Sequence, residues 1–96
     1  MCTSIVEIVP AVGAGRGADG WFALSHAVVS YDHPSHALLN DAILIDFVNR
    51  GLNPGDRAAV ELTLDSARAL HEALARAIAA AEAEEAETRP ASARAA

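Results

Sequence analysis

The chain has 96 residues, a net charge of −6 and 52% hydrophobic residues. That allows one domain with one modest core, and the chain is too apolar to be disordered by composition. Every basic residue is an arginine and none cluster, which argues against a phosphate footprint on nucleic acid or an anionic membrane surface. Aromatic residues are only 4%, so the core must come from Ile, Leu and Val, and self-association is expected to add to it.

The lone cysteine, Cys2, cannot close an intramolecular disulfide. No apolar run reaches membrane-spanning length, and no basic-then-apolar leader opens the chain. A reducing cytoplasm is therefore the expected compartment.

Taken in chain order, residues 2–9 are short and β-branched and predict a strand that Pro10 stops. Residues 11–20, with Gly13, Gly15, Gly17 and Gly20, predict a glycine-rich loop. This loop is no dinucleotide fingerprint, because a strand follows it instead of a helix. Trp21 to Tyr31 predict a second strand, and Asp32 to Asp41 a connecting loop with Pro34 and two histidines. Ala42 to Asn49 form the clearest strand, and Arg57 to Thr63 a fourth, after a turn at Gly51, Asn53, Pro54 and Gly55.

A helix is expected from about Thr63 to Glu87, with Thr63 as N-cap and Asp65 at the positive end of the dipole. Ala67, Leu70, Leu74, Ile78 and Ala81 recur at helical spacing as its core stripe. The fold class is α+β: a four-stranded antiparallel meander packed by one C-terminal helix. Residues 1–88 make a single domain and 89–96 a frayed tail. Ile43, Ile45, Phe47, Val60 and Leu62 are expected to be buried with Leu70, Leu74 and Ile78. The second sheet face, with Leu44 and Val48, cannot be covered by one helix, so a homodimer through that face is expected.

Strand polarity brings Cys2, Asp32, His33, His36 and Asp41 to one end of the sheet. Tyr31 to His36 are the densest polar cluster. A turn at Pro34 would set His33 and His36 within about 7 Å of each other, where two imidazoles can share a metal. With Asp41 the set suits ferrous iron; with the Cys2 thiolate it suits zinc or copper. The spacing matches no zinc-finger or zincin pattern. The alternative is that Asp32 and His36 simply cap a loop by hydrogen bonds. Cys2 is either a small apolar strand residue or, once Met1 is removed, part of a chelating or nucleophilic amine–thiol pair. His26 and His71 read as structural. Asp46, in mid-strand, must be solvated, used, or paired with Arg57 or His26, and pairing is the plainer reading. No Ser-His-Asp spacing or nucleophile elbow is present.

The strings Met1-Cys2-Thr3, Gly20-Trp21-Phe22, Tyr31-Asp32-His33-Pro34 with His36-Ala37, and Ile45-Asp46-Phe47-Val48-Asn49 resemble those of a family of short bacterial proteins of unknown function. Ala59-Val60-Glu61-Leu62, followed by Ser66-Ala67-Arg68, extends the resemblance over roughly residues 1–80. That family carries no assigned activity, so the resemblance implies no mechanism. The family often has a Glu-His pair where this chain has Asn40-Asp41, which would make Asp41 the replacement for a third ligand.

Two functions follow as expectations. One is a small metal-binding domain, with catalysis an open question, whose site is His33, His36, Asp41 and Cys2 and whose partner is a small-molecule ligand. The other is a non-catalytic homodimeric binding or accessory module with a structural histidine loop.

Overall fold

The structure is a computed structural model, and it describes residues 5–51 and 53–88. Six strands and one helix follow in order: β1 (Val6–Pro10), β2 (Ala14–Gly17), β3 (Gly20–Ala23), β4 (His26–Asp32), β5 (Ala42–Val48), β6 (Arg57–Leu62) and α1 (Leu64–Thr88). The class is α+β. Four strands pair antiparallel in the order β1-β4-β5-β6, the meander expected from the short connections, and β2 and β3 form a separate two-stranded sheet. Contacts divide the chain into two compact units, residues 1–64 and 65–96.

The small sheet corrects two expectations. Residues 11–20 are not a plain loop: Ala14–Gly17 pair with Gly20–Ala23 around a two-residue turn, and Gly20 takes φ +114°, which favours glycine. Glycine weakens the β signal in sequence, yet here it permits close approach. A Cβ on Gly17 would run into the Gly55 carbonyl oxygen, because β2 lies against β6 and its preceding turn. The expected single strand from Trp21 to Tyr31 is likewise broken at Leu24-Ser25. The Leu24 N–H donates to the Gly13 carbonyl at 2.9 Å and continues the hairpin. The Ser25 N–H donates to the Val48 carbonyl at 2.8 Å and joins the large sheet. The chain changes partners there, so one strand becomes two.

Directly paired residues point to the same side of an antiparallel sheet. The register therefore sorts the large sheet into two faces. One face is apolar: Val9 on β1; Ala27, Val29 and Tyr31 on β4; Ile43, Ile45 and Phe47 on β5; Ala58, Val60 and Leu62 on β6. Glu7 is the sole charged side chain on it. The other face is mixed: Val6 and Ile8, then His26, Val28, Ser30 and Asp32, then Leu44, Asp46 and Val48, then Arg57, Ala59 and Glu61.

Among the described residues only Phe22, Ala27 and Ala42 are buried apolar side chains. The expected core is thus corrected. Ile43, Ile45, Phe47 and Leu62 are half-buried, and Val60 is 44% exposed. A sheet one layer thick buries a face only against another layer, and the larger side chains of this face stay at best half-covered.

Helix α1 begins one residue after Thr63, with Asp65 in its first turn, as the capping pattern requires. Arg68 Nη1 donates to Asp65 Oδ1 at 3.0 Å, and Thr88 Oγ1 donates to the Glu84 carbonyl at 3.0 Å in the last turn. The apolar stripe is present, but Leu70, Leu74 and Ile78 are 48%, 57% and 51% exposed. Among the described residues no helix is long and apolar enough to cross a membrane.

Candidate functional site

The connection between β4 and β5 carries the histidines, and its backbone is held at three points. At its start, Asp32 Oδ1 accepts the His33 N–H at 2.7 Å, a local cap of the kind short carboxylates make. At its end, His33 Nδ1 lies 2.9 Å from the Asn40 carbonyl oxygen and 3.3 Å from Asp41 Oδ1. A carbonyl only accepts, so Nδ1 carries a proton and donates it.

In the middle, Glu61 reaches up from β6. Its Oε2 accepts the Ser35 N–H at 2.6 Å, and its Oε1 accepts those of His36 at 2.9 Å and Ala37 at 2.8 Å. The Ala37 bond, then the Ser35 bond, holds the Glu61 carboxyl below the ordinary glutamate value.

Beside this loop lies a cleft of about 430 Å³ lined by Ser35, His36, Arg57, Ala59 and Glu61. Arg57 is fixed by a fork on Asp46, Nε to Oδ1 and Nη2 to Oδ2, both at 2.7 Å. The pair settles the mid-strand carboxylate in favour of Arg57. The bond and the charge of Asp46 raise the guanidinium's pKa. His26 instead sets Nδ1 3.0 Å from Ser25 Oγ, whose hydroxyl lies 3.2 Å from the Val48 carbonyl it donates to. His26 is structural in that sense.

Of the four metal-ligand candidates, the structure brings His33 to Asp41 and sets His36 in the cleft with Glu61 and Arg57. Cys2 lies outside the described residues. Among the described residues no three His, Cys, Asp or Glu side chains gather as a metal cluster. Sequence reading missed Glu61 as the loop's anchor. Its one signal was a carboxylate alternating with the apolar Val60 and Leu62 near the end of β6.

The family of unknown function DUF6295 matches residues 1–87, and the chain belongs to it. No curated protein and no solved structure matches the chain. The family has no assigned chemistry.

Proposed function

We propose that the chain acts as a non-catalytic homodimeric binding or accessory module, with the apolar face of the large sheet buried between two copies. The observation that carries this reading is the composition of that face. It runs apolar across all four strands, with Glu7 alone charged and Val60 at its margin 44% exposed. A continuous apolar face left half-exposed is the kind of surface that association covers. The opposite face, where sequence alone set the interface, is the less suitable one. It carries the Asp46–Arg57 fork and Glu61, which association would have to strip of water.

In this reading the histidine loop is structural, since Asp32, Asn40 and Glu61 each hold its backbone or ring in place. Sedimentation of the untagged chain tests the proposal. A dimer at micromolar concentration is expected, and a 9.9 kDa monomer there refutes it.

A second reading keeps a divalent transition metal at the loop. Its support is that His33 Nδ1 is oriented by the Asn40 carbonyl and Asp41, as the second nitrogen of metal-bound imidazoles usually is. The donors in this reading are His33, His36, Asp41 and Cys2, and Asp41 would have to leave His33 Nδ1 in order to ligate. With Asp41 the set favours iron, and with the thiolate zinc or copper. Metal uptake by the wild type is compared with that of a folded His33→Ala/His36→Ala variant. Uptake lost in the variant supports it. Equal uptake by both, or none by either, removes it.

A further inference from the structure

Two extended apolar surfaces among the described residues stay uncovered in the single chain, and they differ in kind. One is the apolar face of the large sheet, where Val29 and Ile45 are half-buried and Val60 is exposed. The other is the stripe of Leu70, Leu74 and Ile78 on α1, a 25-residue helix with no buried side chain. Helices in proteins draw most of their stability from packing an amphipathic face rather than from propensity. The stripe therefore calls for a partner as much as the sheet does.

Two copies can meet these needs in different ways. Sheet against sheet covers the first surface and leaves both stripes in water. Helix against helix does the reverse. Exchange, with each helix on the other copy's sheet, covers both surfaces in both copies. The dimensions agree with exchange. From Ala67 to Ala81 the stripe is about 21 Å long, at about 1.5 Å rise per residue. The seven residues of β5 extend about 23 Å, at about 3.3 Å per residue. A helix about 10 Å wide thus lays a strip of about 210 Å² on the sheet. Two-fold exchange makes that contact twice and covers four such strips, about 840 Å² before side-chain relief is counted. A helix pair covers half as much, against the roughly 1,200–2,000 Å² that stable interfaces bury.

Connection and charge point the same way. Thr63 alone joins β6 to α1, whereas strand-to-helix loops usually have about two to six residues. A hinge this short disfavours closure within one chain and invites exchange. Glu72 lies on the opposite side of the helix from Leu74, and the acidic run from Glu82 begins only past Ala81, so the contact strip carries no carboxylate.

We propose that two copies exchange helices, the Leu70, Leu74 and Ile78 stripe of each α1 covering the apolar sheet face of the other. This rests on the dimer reading and identifies what covers the face.

The test is isotope-filtered NMR on the full chain, with labelled and unlabelled copies mixed by unfolding and refolding them together, so that only contacts between copies are seen. Methyl contacts from Leu70, Leu74 and Ile78 of one copy to Val29, Ile45 and Val60 of the other are expected. Contacts between copies that run only sheet to sheet, or only stripe to stripe, overturn the exchange and leave a dimer standing. Stripe-to-sheet contacts confined to one copy overturn it as well. A monomer by sedimentation at the same concentration removes the exchange and the dimer reading together. Leu74→Arg, at a position exposed in the single chain, should raise the dimer Kd at least about a hundredfold. Glu72→Arg, on the other side of the helix, should leave it within about twofold. Equal effects of the two, or an unchanged Kd in a Leu74→Arg variant that circular dichroism shows to be folded, overturn the proposal.

Discussion

Val60 offers a sharp test of what the apolar sheet face is for. It lies on β6, an outer strand of the large sheet, paired with Ile45 and 44% exposed in the single chain. Burying a valine fully is worth roughly 1.5–3 kcal/mol. The part of Val60 already covered within its own chain counts equally in monomer and dimer, so it cancels from the association equilibrium. A second copy can remove only the exposed remainder from water, about 1 kcal/mol per copy and about 2 kcal/mol for a symmetric pair. Val60→Ala should therefore raise the dimer Kd by up to about thirtyfold. Val60→Arg adds the cost of dehydrating a guanidinium and should leave a monomer at micromolar concentration. Sedimentation over a concentration series reads both variants, and far-UV circular dichroism confirms that the strands persist. An unchanged Kd in folded Val60→Arg would show that this face is not the interface.

Other perturbations separate the remaining readings. Leu74→Ala should cost within about 1 kcal/mol at concentrations where the chain is monomeric, because Leu74 is 57% exposed there. The cost should rise toward about 2–5 kcal/mol only if association covers the stripe. Urea unfolding at several protein concentrations decides this, and a large cost independent of concentration refutes it. Acidification should free the histidine loop. The folded Glu61 pKa is lowered, so the carboxylate's hold on the loop is complete above the unfolded value of about 4.3 and is lost as pH falls through the lower folded value. The amide signals of Ser35, His36 and Ala37 report this together. A transition above the ordinary glutamate value, or none on acidification, contradicts it. Glu61→Gln should loosen the same three amides at neutral pH, since one carbonyl oxygen replaces two carboxylate oxygens.

The large sheet was legible because its signals are local and repeat. Alternation in Ala42 to Asn49 sets Ile43, Ile45 and Phe47 apart from Leu44, Asp46 and Val48, and the pairing follows that division. The helix boundaries were legible for the same reason, with Thr63 and Asp65 marking its start. The β2–β3 hairpin was not. Its pairing runs through Gly15 and Gly17, residues with no side chain to alternate and no β propensity to reveal them. The core was legible as a set of apolar positions and illegible as a packing arrangement. Periodicity says that Leu70, Leu74 and Ile78 face something apolar; it does not say which chain provides it.

The site poses a harder problem, because its geometry depends on contacts between distant parts of the sequence. Glu61 meets Ser35, His36 and Ala37 across 24 to 26 residues, and nothing local to either segment announces the other. Three polar residues in the distinctive strings hold backbone or a salt bridge. Asp32 caps the His33 N–H. Asp46 anchors Arg57. Asn49 Nδ2 donates to the Ala23 carbonyl at 2.8 Å, while its Oδ1 accepts the Gly51 N–H at 2.8 Å, tying the hairpin to the end of β5. A string that looks like a catalytic signature can thus be a wiring diagram for a fold with few buried residues. In such a fold, polar bonds replace part of what a larger core would supply.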